Sequence, residues 1–446
     1  MARPLATLFY QAKNNRVVQN SLYSGIGFAF PFLMMLLFTP SLLQKMGTEG
    51  YGLWSVAVSA LSMMGVLEFG LGLAISKYIA EYDANDDFLG ISTVVTVGVL
   101  SNLVVGFLLF IPLYLFANQI SVLFESETIP QVQIVNALQI ASFGFFPLLL
   151  RNVGLAIPEG FQNYKISSTI RTIQGGLVII AALLVTQWGG TLEQVVLSTV
   201  VIMWFTGIAS VIAAYFSLRS LPLVLPCLER KYLAKMLSYI SYSGLRGVGA
   251  QLFTTVDRVA VGAVLGLSSL TYYTICIGIA NKFIALSSAL TQALVPATSS
   301  LYISGDKRKI RSYLLKSTGV LAAINLSAGI LAILFADLLL RQWMGIEFAK
   351  QAVNLFRTLI FVYMFLSLTT PSAQIANGIG IPWVNTVGAL IGGAGTILLI
   401  MHWGGQFGLI GTGWANAASW IKIIAFIFVL LKLQSADKII LESGNA

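Results

Sequence analysis

The sequence predicts an all-α integral membrane protein of about 12 transmembrane helices in two six-helix lobes, and three observations lead there. Of the 446 residues, 57% are hydrophobic and only 10% charged, against roughly 25% charged in an ordinary soluble domain. Apolar runs of about 18 residues or more recur from end to end, each long enough to cross a hydrocarbon core of about 30 Å. Short motifs of the first half return in the second at a nearly constant separation.

Within a bilayer the backbone must satisfy its own hydrogen bonds, which leaves helices or closed barrels. The runs lack the alternation of barrel strands, and the 41 glycines suit helices that pack closely in lipid. The spans read as residues 18–43, 51–79, 89–117, 130–157, 168–187, 193–217, 236–262, 270–298, 313–336, 350–377, 382–402 and 409–433. The first run, near Ser21 to Leu43, is too long for the apolar core of a signal peptide.

Loop charge orients the chain. Arg3, Lys13, Arg16, Lys77, Lys165, Arg171, Arg219, Arg230, Lys231, Lys235, Lys307, Arg308, Lys309, Arg311, Lys316, Lys432 and Lys438 fall on one side, and only Lys45, Arg341 and Lys350 on the other. The positive-inside rule then puts both termini in the cytoplasm. It also accounts for the net charge of +9 without nucleic acid.

Residues 219–235 form a basic linker midway along the chain, between lobes at 1–218 and 236–446. Tyr23-Ser24-Gly25-Ile26 returns as Tyr242-Ser243-Gly244-Leu245, a shift of 219 that also brings Met46-Gly47 onto Leu265-Gly266 and Trp54 onto Tyr273. Gly160 meets Gly378 at a shift of 218. With six spans per copy, the repeats are parallel.

Several motifs carry a resemblance: Gly47-Thr-Glu-Gly-Tyr-Gly-Leu-Trp54, Glu68-Phe-Gly-Leu-Gly-Leu-Ala-Ile-Ser-Lys-Tyr78, Gly160-Phe-Gln-Asn-Tyr164 and Asp257-Arg-Val-Ala-Val-Gly262. Together they resemble the polysaccharide-biosynthesis flippases, the O-antigen and oligosaccharide-lipid branch of the multidrug/oligosaccharidyl-lipid/polysaccharide exporter superfamily. The resemblance covers about residues 15 to 435. It implies two six-helix lobes forming a V around a central cavity that opens alternately to each side. The implied substrate is an oligosaccharide linked by pyrophosphate to a polyprenol, carried to the outer leaflet for O-antigen, capsule or exopolysaccharide assembly.

Charges inside spans are the sharpest clues to chemistry, because each costs roughly 2.5–3.5 kcal/mol at mid-bilayer on insertion scales. A pyrophosphate calls for cationic donors. Arg246, Lys282 and Arg151 are therefore the candidate pyrophosphate contacts. Tyr242, Arg246, Gly249, Phe253 and Asp257 make one helical stripe on the seventh span, and Asn281, Ser288, Thr291 and Gln292 another on the eighth. Tyr242, Phe253, Asn281, Ser288 and Gln292 are the candidate cavity lining. Asp257 and Glu68 are candidates for coupling to H⁺ or Na⁺. Arg258 and Arg357, near the outer ends of their spans, read as residues that snorkel to the interface.

No cofactor or metal is expected: Cys227, Cys276 and the single His402 have no ligand spacing. No P-loop or dinucleotide fingerprint argues for an enzyme. The expected partners are the lipid-linked oligosaccharide, membrane lipids against the basic loops, and a docked sugar-assembly enzyme as a weaker option. A proton- or sodium-coupled multidrug exporter of the same superfamily is the alternative. It would want a carboxylate-dominated cavity, whereas here Arg and Lys outnumber carboxylates within the spans.

Overall fold

A computed structural model describes the backbone of residues 16–62, 71–124, 126–219 and 226–443. Side chains are described for 30–61, 71–124, 126–219, 226–236, 256–295 and 297–433. Every regular element among them is helical. In the first half the spans are carried by Arg16–Ser62, Leu71–Asp83, Phe88–Leu115, Gln131–Ser142 with Phe145–Gly160, Tyr164–Gln187 and Leu192–Leu218. The second half follows with Arg230–Thr291 and Leu294–Ile303, then Lys307–Leu334, Ile346–Ser367 with Thr370–Gly378, Trp383–Ala415 and Lys422–Ser443.

Among the described residues, eight helical segments are long and apolar enough to cross a membrane, and two of them hold more than one span. Their outer surfaces are apolar. Val104, Phe107 and Leu108 on the third span, and Phe205, Ile208 and Phe216 on the sixth, are exposed. So much bare hydrocarbon is stable only where lipid is the solvent.

Two long helices are each two spans joined at a glycine. Gly47 (φ 72°, ψ 173°) breaks Arg16–Ser62, and Gly266 (φ 77°, ψ 175°) breaks Arg230–Thr291. Nothing lies within 4 Å of a Cβ built at Gly47, so the requirement there is conformational rather than steric, and Gly266 shares the same positive φ. The two glycines are the pair aligned by the 219-residue shift.

The backbone extends that correspondence well beyond what sequence identity reveals. Positive φ occurs at Asp86 and Gly305, at Gln162 and Gly380, and at Gly189 and Gly408. These pairs are separated by 219, 218 and 219 residues. Asp87 caps the third span by accepting from the Gly90 amide at 3.0 Å, and Asp306 caps the ninth by accepting from the Lys309 amide at 3.1 Å. Phe116 and Phe335 then open the short helices Ala117–Ser121 and Ala336–Met344 at the same relative place. One six-helix fold is written twice.

The chain divides into two compact units, Met1–Val248 and Gly249–Ala446. The first unit reaches past residue 235 because the start of the seventh span packs on it. Met236 is buried in the cluster of Leu71, Ile75, Ile79, Ile91 and Ile157. Tyr232 donates to Asp87 at 2.8 Å, and Lys235 pairs with Glu81 at 2.6 Å while lying over the Tyr78 and Tyr82 rings. That helix begins at Arg230, earlier than periodicity alone suggested.

Within each unit, small residues set the closest approaches. A Cβ at Gly154 would meet Ser210 Oγ at 2.5 Å, so spans four and six touch backbone to backbone there.

Candidate functional site

The second unit holds a buried polar network contributed by four helices. Asp257, on the seventh span, is 4% exposed. Its carboxylate accepts the hydroxyl of Tyr273 at 2.9 Å and the amide of Arg258 at 2.7 Å. Tyr273, on the eighth span, accepts from the Asn416 side-chain amide at 3.1 Å. Asn416, on the twelfth, also donates to the Thr412 carbonyl at 2.9 Å and accepts from Tyr363 of the tenth at 3.2 Å. Each donor is thereby used once, in a directed chain from Tyr363 through Asn416 and Tyr273 to the carboxylate. Among the described residues no cation forms an ion pair with Asp257.

The repeat shows that the fold does not need this arrangement. In the first unit Phe38 stands at the place of Asp257, and Trp54 at that of Tyr273. Trp54 closes the same packing by donating its indole N–H to Thr199 at 3.1 Å. The acid is thus an addition to a scaffold that forms without it.

In the first unit, Arg151 is oriented by amides. Its Nη1 donates to Gln174 Oε1 at 2.6 Å, and its Nε and Nη2 donate to Asn152 Oδ1 at 3.2 and 2.9 Å. Gln174 is held in turn by the Thr206 hydroxyl at 3.2 Å. Gln174 and Asn152 thus orient the guanidinium fork, and Gln174, 23 residues away, was not visible as its partner in the sequence.

Lys282, Asn281 and Ser288 are half-buried and Gln292 is exposed, which leaves this face of the eighth span reachable. Thr291 is buried instead and donates to the Ser287 carbonyl of its own helix at 2.7 Å. The neighbouring face carries a knot that sequence reading missed. Asn325 donates to Ser287 and to Ser367, both at 2.8 Å, tying the eighth, ninth and tenth spans together.

The side chains of Tyr242, Arg246 and Phe253, and residue Glu68, lie outside the described residues. The expectation of snorkelling takes a different form at the two remaining arginines. Arg357 donates to the Ile333 carbonyl at 3.3 Å, near the end of the ninth span, where a cation favours the helix terminus. Arg258 keeps its Nε buried with no hydrogen bond. Among the described residues no group of His, Cys, Asp or Glu could hold a metal ion.

Comparison with known proteins settles the family. The family described as "Polysaccharide biosynthesis protein" matches residues 46–353. The chain belongs to that family. A relative named "Putative O-antigen transporter", from Shigella flexneri, is 20% identical over 79% of this chain and 82% of its own length. Among solved structures, the fold is similar to an inward-facing multidrug resistance MATE family transporter of the MOP superfamily. That likeness has a TM-score of 0.75 and 16% identity, covering 93% of this chain and 99% of the other. It is also similar to the lipid II flippase MurJ in an inward closed conformation, with a TM-score of 0.72 and 17% identity, covering 93% and 87%. The polysaccharide biosynthesis family, the two repeated helical lobes and the apolar outer surface together make this a multi-pass membrane transporter.

Proposed function

We propose that the protein moves a polyprenyl-pyrophosphate-linked oligosaccharide from the cytoplasmic to the outer leaflet by alternating access, for assembly of a cell-surface polysaccharide. The basic loops of both units mark the cytoplasmic side, with both termini there, in a bacterial inner membrane. The observation that carries the reading is Arg151, a cation within the fourth span whose fork is pre-set by Gln174 and Asn152. A guanidinium fork matches the oxygens of a pyrophosphate in two-point contact. Lys282, on the reachable face of the eighth span, supplies a point charge in the other lobe, and Arg246 a third cation. Asn281, Ser288 and Gln292, with Tyr242 and Phe253, line the path for the sugar.

Asp257 couples transport to an ion gradient, with H⁺ or Na⁺ as the ion. Its network supports this because protonating the carboxylate, or placing a cation on it, forces Tyr273 and Asn416 to rearrange their single-donor chain. Glu68 is the second candidate for this role. A sugar-assembly enzyme docking on the basic loops is the further partner of this reading.

A second reading, an ion-coupled multidrug exporter, is favoured by the fold likeness to the multidrug resistance transporter and by the buried acid Asp257. The two are separated in proteoliposomes by following transbilayer movement of a polyprenyl-pyrophosphate-linked oligosaccharide. The first reading expects movement that falls in Arg151→Ala, Arg246→Ala and Lys282→Ala. Movement of a cationic drug alone, in exchange for the ion, would replace it with the second.

A further inference from the structure

Lys422 is an intramembrane cation that neither the motifs nor the helical stripes single out. It follows Gly408, which breaks Trp383–Ala415 with φ 59° and ψ −142°, by 14 residues. Counting rise along the helix puts it about 21–24 Å from that break. Lys432, at the basic end, is ten residues or about 15 Å further on, beyond the reach of a lysine stem. Lys422 therefore sits within the hydrocarbon span, where a charge has a functional reason by default.

The local backbone explains how it is accommodated. Asn416–Ile421 is a six-residue 3₁₀ segment, an unusual length for that geometry and one that marks a strained or hinging stretch. It lies on a glycine stripe of the eleventh span. A Cβ at Gly392 would come within 3.0 Å of Ser419 Cα, one at Gly395 within 3.1 Å of Ala418 Cβ, and one at Gly388 within 3.4 Å of Lys422 Cγ. The lysine stem thus rests on bare backbone at Gly388. The residue is half-buried, and among the described residues its ammonium has no hydrogen bond or ion pair.

Its counterpart in the repeat is decisive. Shifting by 219 residues brings Lys422 onto Met203, which is 7% exposed in an apolar cluster with Leu61, Phe145, Leu148 and Leu149. The six-helix fold is content with methionine here. A lysine at this place in one copy alone is a cost that packing does not require.

We infer that Lys422 is an anion contact of the second lobe, receiving a phosphate-bearing headgroup on the twelfth span. The inference rests on the flippase reading for the identity of that headgroup, as the pyrophosphate of a polyprenol-linked substrate. Its placement about two turns beyond Asn416 also ties the anion to the helix that carries the Asp257 network.

The test is binding by the full chain in nanodiscs, with polyprenyl pyrophosphate and inorganic pyrophosphate as probes and neutral polyprenol as control. Lys422→Met, which copies the sister lobe, is expected to unfold at or above the wild-type temperature and to lose about tenfold or more in affinity for either phosphate probe. Lys422→Arg should retain affinity, and Lys422→Gln serves if the methionine variant does not fold. Equal binding by wild type and Lys422→Met overturns the inference and leaves the flippase reading standing. Lys422-dependent pyrophosphate binding without movement of the lipid-linked sugar keeps the inference and removes that reading. No binding of either probe by the wild type overturns the inference.

Discussion

Tyr273 donates its hydroxyl to Asp257 at 2.9 Å across the turn at Gly266, joining the seventh and eighth spans through one buried acid. Removing that donor leaves the carboxylate with the Arg258 amide and little else in a dry site. Tyr273→Phe is expected to cost about 1–3 kcal/mol in unfolding free energy, the range for a buried polar group that loses its partner. Thermal denaturation in detergent checks this; an unchanged midpoint would mean that the pair contributes nothing.

Asn325→Ala should loosen the contact among the eighth, ninth and tenth spans, since it takes away both bonds to Ser287 and Ser367. Hydrogen bonds between helices in membranes contribute about 0.6–2 kcal/mol each. The drop in stability is therefore expected near 1–3 kcal/mol, and Asn325→Asp is expected to be worse than alanine.

Gly47→Ala and Gly266→Ala test the duplicated turn. Both glycines sit at positive φ, and forcing a side chain into that conformation costs about 1–3 kcal/mol apiece. Similar losses at the two sites are expected in matched thermal melts. A loss at only one would break the equivalence of the turns.

At the far end of the first lobe, Glu49 gathers the loop at 126–128. It accepts from Ser126 Oγ at 2.7 Å, from the Glu127 and Thr128 amides at 3.3 and 3.0 Å, and from the Thr128 hydroxyl. Burial alone would raise its carboxyl, and these bonds outweigh it, so the group lies below its ordinary value. A depressed acid contributes its stability above the unfolded value of about 4.3, and loses it as pH falls through the folded value. Hydrogen exchange of residues 126–128 should therefore accelerate below about pH 4 in the wild type. Glu49→Gln should exchange fast at every pH; a pH-independent wild type would contradict this.

Lys235 has the opposite sign. Its hydrogen bond to Glu81 holds the ammonium above the ordinary lysine range, so the contact is complete below about pH 10.4 and is lost as pH rises through the higher folded value. In neutral buffer, Lys235→Ala should speed exchange at residues 230–236 without altering the helix further along. Unchanged exchange there would show that Tyr232 and Met236 suffice to hold the segment.

The helices and their duplication could be read from the chain because apolar length and glycine spacing are local signals. Asp257 and Arg151 stood out for the same reason, as charges inside apolar runs. Their partners did not. Asn416 reaches Tyr273 across 143 residues and Tyr363 across 53, distances over which only folded packing decides contact. Lys422 escaped a helical-stripe reading because the 3₁₀ segment before it turns about 120° per residue rather than 100°. Ser287, one residue and 100° from the candidate lining residue Ser288, owes its role to Asn325, a partner 38 residues away that a helical stripe does not reveal.

The central claim is that a lipid-linked oligosaccharide crosses the bilayer through this fold under control of the Asp257 network. It is tested most directly by timing transbilayer movement of a polyprenyl-pyrophosphate-linked oligosaccharide in proteoliposomes, with and without a proton or sodium gradient, for wild type and Asp257→Asn. The account predicts gradient-accelerated movement in the wild type, and in the variant a loss of that acceleration with substrate binding retained. Equal, gradient-responsive movement by both proteins would contradict it.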